Sequence, residues 1–344
     1  MEKHFRKTAK ISLILVYLVI IAGAVVRMTG SGMGCPDWPR CFGYYIPPTQ
    51  ASELQWQEEK EYKKGQVVIL NETLQVAQSN FKTSSEYQKE NWAKYTKHEY
   101  AIFNPWHTWI EFINRLFGAL AGLATLALGI ISFWYWKKNK AITILSWLIV
   151  FGMGFQAWLG AKVVYSVLNP IKITIHMVMA LVIVAMLMYL LSLASFKVKS
   201  LRYDSTLSKL LILALGVTLI QVVLGTQVRQ FIDTQIDIFG EESKNLWLQE
   251  PTISFYLHRS FSIGVVALNA FIFYRIRKLD LGYSKIKWVI GLIVLEALSG
   301  MAMYYLDFPF SSQPLHLVIA SLLFAVQFYL VLEVLKSKRS LKSL

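Results

Sequence analysis

Eight apolar runs divide this chain, near residues 11–28, 107–136, 141–162, 171–195, 208–229, 253–274, 287–306 and 314–335. Each is long enough to cross a bilayer as a helix, which takes about 20 residues. The pattern predicts an all-α fold, integral to the lipid bilayer, with eight transmembrane helices. The first run is long, has no small-residue cleavage site and is expected to stay as a helix rather than leave as a signal peptide. One stretch breaks the pattern. Residues 28–105 form a long loop whose 50–100 portion is rich in Gln, Glu, Lys, Ser and Asn with scattered aromatics. It is expected to make a small helical excursion or a partly mobile cap outside the membrane.

The apolar runs carry an internal repeat. Ile113-Asn114-Arg115-Leu116-Phe117 parallels Leu257-His258-Arg259-Ser260-Phe261, and Ile175-His176-Met177-Val178 parallels Leu315-His316-Leu317-Val318. Gln156-Ala157-Trp158-Leu159-Gly160 parallels Glu296-Ala297-Leu298-Ser299-Gly300, and Gly23-Ala24-Val25-Val26-Arg27 parallels Gly225-Thr226-Gln227-Val228-Arg229. The repeat predicts two pseudo-symmetric four-helix bundles. The short basic loop at 196–209 separates them into domains of residues 1–200 (holding the long loop 28–105) and 201–344.

Composition agrees with the membrane reading, since 55% of residues are hydrophobic and 16% charged, too much apolar sequence for one soluble core. The net charge of +14 could suggest nucleic acid, but its placement does not. Lys3, Arg6, Lys7 and Lys10 precede the first run, and Lys137, Lys138 and Lys140 follow the second. Lys197, Lys199, Arg202 and Lys209 lie between the fourth and fifth, Arg275, Arg277, Lys278, Lys285 and Lys287 between the sixth and seventh, and Lys336, Lys338, Arg339 and Lys342 end the chain. The opposite short loops hold almost no Lys or Arg, and 230–250 carries Asp233, Asp237, Glu241, Glu242 and Glu250. The positive-inside rule predicts a multi-pass protein of the cell (inner) membrane with both termini cytoplasmic. The charge marks topology, and no nucleic-acid partner is expected.

With that topology, Asn114, His176, His258 and His316 all fall in the first turns of even-numbered helices, in the outer leaflet. A lone intramembrane histidine is commonly a hydrogen-bonded packing residue, whereas two at matched depth on helices 6 and 8 read as ligands. Bis-histidine ligation of a b-type heme through His258 and His316 fits best, because imidazole suits iron and no carboxylate set for a non-heme metal accompanies it. The first half offers His176 but Asn114 opposite, and an amide is a poor iron ligand. Glu111 shares a helix face with Asn114 and is read either as a proton acceptor or electrostatic stabiliser beside a porphyrin or as an ion-pair partner of Arg115. His107 is read as a helix-entry residue, and His4 and His98 carry no site signal. Arg27, Arg115, Arg229 and Arg259, near the outer ends of helices 1, 2, 5 and 6, suit the carboxylates of heme propionates; interfacial snorkelling is the alternative. Glu296 and Gln156 hold equivalent places on helices 7 and 3, with no role assigned. Cys35 and Cys41 sit on the oxidising side, where disulfides persist, and a bridge between them reads as a structural clip or a redox-active pair.

These residues resemble the heme A synthase family across all eight runs. The specific marks are Thr29-Gly30-Ser31-Gly32-Met33-Gly34-Cys35-Pro36-Asp37-Trp38-Pro39-Arg40-Cys41, the segment Glu111-Phe112-Ile113-Asn114-Arg115, and the histidines on helices 4, 6 and 8. The resemblance implies oxidation of the porphyrin C8 methyl of heme O to a formyl group by successive hydroxylations, giving heme A for terminal oxidases. It implies a heme b cofactor on His258 and His316, heme O received in the amino-terminal half, and Glu111 as the catalytic carboxylate. It further implies oxygen drawn from water, electrons leaving toward a quinone or other acceptor, and supply of substrate by a heme O synthase; a homo-oligomer stays open. Many members carry Glu-x-x-His-Arg on helix 2, and here Asn114 stands at the histidine, leaving His176 as the ligand and a more open face at the iron. Two other classes of membrane protein place different demands on these residues. A di-heme b-type cytochrome relaying electrons between quinone and a partner needs an imidazole where Asn114 stands. A repeat-built transporter usually breaks helices at the midplane.

Overall fold

The computed structural model describes residues 2–194 and 201–342, with side chains described to 338. Lys197, Lys199, the domain boundary drawn at 200 and the side chains of Arg339 and Lys342 lie outside what is described. Among the described residues, eight helices are long and apolar enough to cross a membrane: α1 (Glu2–Met28), α2 (Pro105–Ser132), α3 (Lys140–Tyr165), α4 (Pro170–Leu193), α5 (Ser205–Phe239), α6 (Ile253–Lys278), α7 (Ile286–Tyr305) and α8 (Ser312–Lys342). The protein is a multi-pass, predominantly helical membrane protein. α5 runs ten residues past its expected end at 229. The i,i+4 pair Arg229–Asp233 (2.7 Å) supports the added turns, and Ile232 is buried with Trp247 and Phe308 before Gly240 ends the helix at φ 83°.

The chain forms two compact units. One comprises residues up to Ile14, Ala124–Phe151 and everything from Met177 onward. Within it α5, α6, α7 and α8 close a four-helix ring, each packed on its neighbours in the order α5–α6–α7–α8–α5. Leu207, Leu211, Ile272, Ile276, Val289, Leu330 and Val334 fill the end of that ring where the basic residues collect. The same end is tied by polar contacts. Asp204 caps α5 by accepting from the Leu207 N–H (2.6 Å) and takes both Nε and Nη2 of Arg275 at 2.9 Å. The Arg275 guanidinium holds the Asp204 carboxyl below the usual carboxylate range. Midway along the ring, Gln327 donates to Asn269 Oδ1 (3.0 Å), and Asn269 donates to the Val265 carbonyl (2.8 Å). Asn269 lies eleven residues after His258, and Gln327 eleven after His316. Eleven residues make three turns, so this buried amide pair fixes the rotation of α6 and α8 that aims both histidines inward.

The other unit comprises Leu15–Leu123 and Gly152–His176. Its loop is not the helical excursion expected from the sequence. Apart from single 3-10 turns it is built from short strands, β1 (Glu61–Tyr62), β2 (Val67–Leu70), β3 (Thr73–Ala77), β4 (Phe81–Lys82) and β5 (Trp92–Lys94). β2, β3 and β5 make an antiparallel sheet in which Val76 pairs with both Val67 and Ala93, and β1 pairs with β4. The physical reason lies at 67–77. A β-branched run meets a two-residue turn at Asn71-Glu72, both at positive φ (48° and 56°), the conformation that a tight hairpin demands. Both faces of the sheet are covered. Val67 packs with Phe42, Leu54 and Leu74, while Val68 packs with Tyr62, Ala77 and Trp92. An aromatic cluster of Tyr62, Phe81, Tyr87 and Trp92, with ring centroids 5.0–6.1 Å apart, supplies most of the apolar area on the second face.

Candidate functional site

In the ring of α5–α8, His258 on α6 and His316 on α8 face each other, ring centroids 6.4 Å apart and planes at 73°. This spacing can be tested against a metal between them. A metal–imidazole bond of about 2 Å on each side, plus about 1.1 Å from nitrogen to ring centre, sums to about 6.2 Å. The pair therefore fits one iron with two axial imidazoles. His316 Nδ1 is 2.7 Å from Glu296 Oε2 and 2.8 Å from Ser299 Oγ, both on α7, so Nε2 is the ring nitrogen that could hold a metal. Gln221 on α5 donates from Nε2 to the His258 carbonyl (3.0 Å), while His258 Nδ1 and Gln221 Oε1 are buried without a hydrogen-bond partner. Each ring rests against a glycine. A Cβ on Gly225 would stand 3.1 Å from His258 Cε1, and one on Gly300 would stand 3.7 Å from His316 Cε1.

The corresponding residues of the other unit repeat this packing with one corner altered. Gly160 lies against His176, 3.5 Å from Cε1 by the same measure, and Gln156 Nε2 donates to the His176 carbonyl (2.9 Å). His176 Nδ1 and Gln156 Oε1 are again buried without a partner. Gly23 lies 3.8 Å from the Oδ1 of Asn114, which is likewise buried and unpartnered.

Glu111 is buried, and both of its carboxylate oxygens are engaged. Oε2 accepts from the Cys35 N–H (2.7 Å), and Oε1 accepts from Arg115 Nη2 (2.5 Å). Arg115 also donates to the carbonyls of Cys35 (2.8 Å), Asp37 (2.7 Å) and Arg40 (2.9 Å). Its four terminal N–H groups are thereby committed to Glu111 and the loop. Cys35 and Cys41 form a disulfide with Cα atoms 4.6 Å apart. Asp37 closes the loop from within, accepting from the Phe42 (2.5 Å) and Gly43 (2.7 Å) N–H groups. Outside contacts hold it too: Tyr95 and His98 to the Pro36 carbonyl (3.3 and 2.7 Å), and Tyr165 to the Trp38 carbonyl (3.1 Å). Thr108 donates to the Gly34 carbonyl (2.7 Å), and a Cβ on Gly34 would meet the His107 carbonyl at 2.3 Å, so only glycine lets the loop approach α2 this closely. Asn104 starts α2, accepting from the Trp106 and His107 N–H groups beside a first-turn Pro105, which places Glu111 in the second turn.

The remaining arginines differ from Arg115. Arg27 ends α1, Arg229 pairs with Asp233, and the Arg259 guanidinium lies 5.8 Å over the Tyr304 ring. His98, given no role from the sequence, is a loop anchor, and Asp37, Thr108 and Tyr95 join it. Nothing local in the sequence marks these four, because their partners lie far along the chain or are main-chain groups.

Comparison with known proteins is consistent with this arrangement. A family model described as COX15-CtaA, cytochrome oxidase assembly protein, matches residues 6–89 and 62–328. Among relatives, the heme A synthase of Shewanella oneidensis is 28% identical over 269 residues, covering 76% of this chain and 69% of that protein. That of Flavobacterium johnsoniae is 24% identical over 347 residues (92% and 93%), and that of Bacillus cereus 25% identical over 363 residues (99% and 97%). The resemblance read from the Cys35–Cys41 and Glu111–Arg115 motifs is borne out, and the chain belongs to the COX15-CtaA family of cytochrome oxidase assembly proteins.

Proposed function

We propose that this protein is a heme A synthase, oxidising the C8 methyl of heme O to the formyl group of heme A. The observation that carries the reading is the His258–His316 pair at 6.4 Å in a chain of this family. Heme b, held by these two residues, supplies a one-electron relay. The substrate heme O is received in the amino-terminal half, with His176 as its protein ligand and Asn114 on the facing side.

Each hydroxylation of the methyl by water releases two protons and two electrons. The second gives a hydrate that loses water to the aldehyde, so four electrons leave in all, toward a quinone or comparable acceptor. The protein's task is to orient the methyl, hold the propionates and receive protons. Glu111 suits the last role because a carboxylate has about four acceptor positions and the Cys35 N–H and Arg115 use two. Those two donors stabilise its anion inside a span, where an unpaired carboxylate is costly. Arg27, Arg229 and Arg259 are proposed as propionate partners, whereas Arg115 acts as the clasp between Glu111 and the disulfide loop. The test is co-expression with a heme O synthase, followed by chromatography of extracted hemes. Heme A formed by the wild type and absent from cells lacking the chain supports the reading; absence of heme A with heme O present overturns it.

A further inference from the structure

Each of the three candidate ligand histidines meets the same two-residue device on the helix before it. On α3 it is Gln156 and Gly160, on α5 Gln221 and Gly225, on α7 Glu296 and Gly300, always four apart and so on one helix face. The glycine admits the imidazole at close range, and the polar residue one turn away bonds to that same histidine, Glu296 to the His316 ring and Gln156 and Gln221 to the main-chain carbonyls of His176 and His258. At the fourth corner α1 places Gly23 beside Asn114, and the residue four before that glycine is Val19. The glycine is kept there, while the polar residue and the imidazole are both absent. A group needed for packing helix against helix would be needed at all four corners. The joint change ties the polar residue to the ligand instead.

We propose that Glu296, Gln221 and Gln156 are positioning residues for the axial histidines, and that Glu296 sets the electron-donating strength of His316. The proposal rests on the heme b reading above. Nδ1–H of His316, donated to the Glu296 carboxylate and backed by Ser299, fixes the tautomer that leaves Nε2 free and makes the imidazole a stronger donor to ferric iron. His258 has a neutral counterpart. Gln221 donates its amide N–H to the His258 main-chain carbonyl, one helical turn from the ring, and carries no charge. One candidate ligand thus has a carboxylate on its ring, and the other is held by a neutral amide through its main chain.

The test exchanges the two backings with near-isosteric variants, Glu296→Gln and Gln221→Glu, in the purified full-length protein. Redox titration of the low-spin heme band and its electron paramagnetic resonance signal are the readouts. Glu296→Gln is expected to raise the midpoint potential and weaken heme retention by about 10–100-fold. Gln221→Glu is expected to lower the potential with the low-spin signal intact. A packing role predicts no such opposed shifts, so two potentials equal to wild type overturn the proposal. If Glu296→Gln fails to insert, the direction of the Gln221→Glu shift decides alone. A wild-type protein with no low-spin heme, or one whose heme survives His258→Ala, overturns the heme b reading and this inference with it. Heme that is lost in His258→Ala yet indifferent to both exchanges overturns this inference only.

Discussion

The two histidine-bearing regions are built from the same parts and finished differently. In α5–α8 both rings are present, face each other at 6.4 Å, and each has a glycine at its edge and a polar residue behind it. In the other region the α3–α4 corner keeps all three parts, whereas the α1–α2 corner keeps only Gly23. It gains what α6 lacks, a buried carboxylate one turn before the altered position, clasped by Arg115 and the disulfide loop. A site with two imidazoles saturates an iron and suits a resident electron carrier. A site with one imidazole and an adjacent carboxylate leaves room for chemistry. Under the proposed function, the first arrangement would serve as the relay and the second as the reaction chamber of a single chain.

The largest effect should come from breaking the complete pair. His258→Ala or His316→Ala is expected to abolish the low-spin b-type heme while the protein still inserts, since the α5–α8 core lies at the other end of the ring. Reduced-minus-oxidised spectra of purified variants check this, and a full heme b spectrum in either would sink the ligand assignment.

Next in size is Glu111→Gln, which keeps the shape but removes the charge and leaves one oxygen to accept from either the Cys35 N–H or Arg115. Heme A formation should fall by about 10²–10⁴-fold, as for loss of a general base, with heme O accumulating and heme b intact. Wild-type heme A from this variant would leave Glu111 as the ion-pair partner of Arg115 and nothing more. His176→Ala should instead lose heme O from the purified protein, a difference that separates binding from proton transfer.

The Cys35–Cys41 bridge should act through the clasp. Cys41→Ser is expected to cost about 2 kcal/mol, the entropy of a loop this short. It should also loosen the Cys35 N–H from Glu111, so activity should fall along with thermal stability. Thermal unfolding with and without reductant, beside turnover at a temperature where both forms are folded, reads the two effects separately.

How much of this was legible beforehand follows from where each signal lies. The eight spans were, because about 20 successive apolar residues have no other use in a chain this long. The extension of α5 was not, since it depends on Trp247 and Phe308 covering Ile232. The cap was misread because its strands are two to five residues long in a polar stretch, and its hairpin turns on Asn71-Glu72 rather than an Asn-Gly pair. The histidines were legible from the repeat. The commitment of Arg115 to three loop carbonyls was not, because an arginine near a helix end reads the same whether it meets a propionate or a peptide group. The glutamine and glutamate behind the rings were half visible: Gln156 and Glu296 fall inside the matched segments, but Gln221 lies four residues before its own.

The smallest effect on turnover, and the sharpest test of the comparison, comes from rebuilding the altered corner. Asn114→His places an imidazole opposite His176 and is expected to leave heme A formation near wild type. Its ring would face Gly23 with no polar residue on α1 to fix its tautomer, so the site should turn only partly low-spin when loaded with heme O. Adding Val19→Gln supplies the missing polar residue, four residues before Gly23 as Gln221 is before Gly225. Burying an amide there costs about 1–3 kcal/mol if it stays unbonded, so its favourable use is the imidazole beside it. The double variant should then be fully low-spin and bind cyanide or added imidazole more weakly than either single variant. Turnover should drop only in the double variant, because only there is the second axial face closed. If Asn114→His alone is already as low-spin as the double, the polar residues are dispensable to ligation, and the three intact corners share their pattern for some other reason.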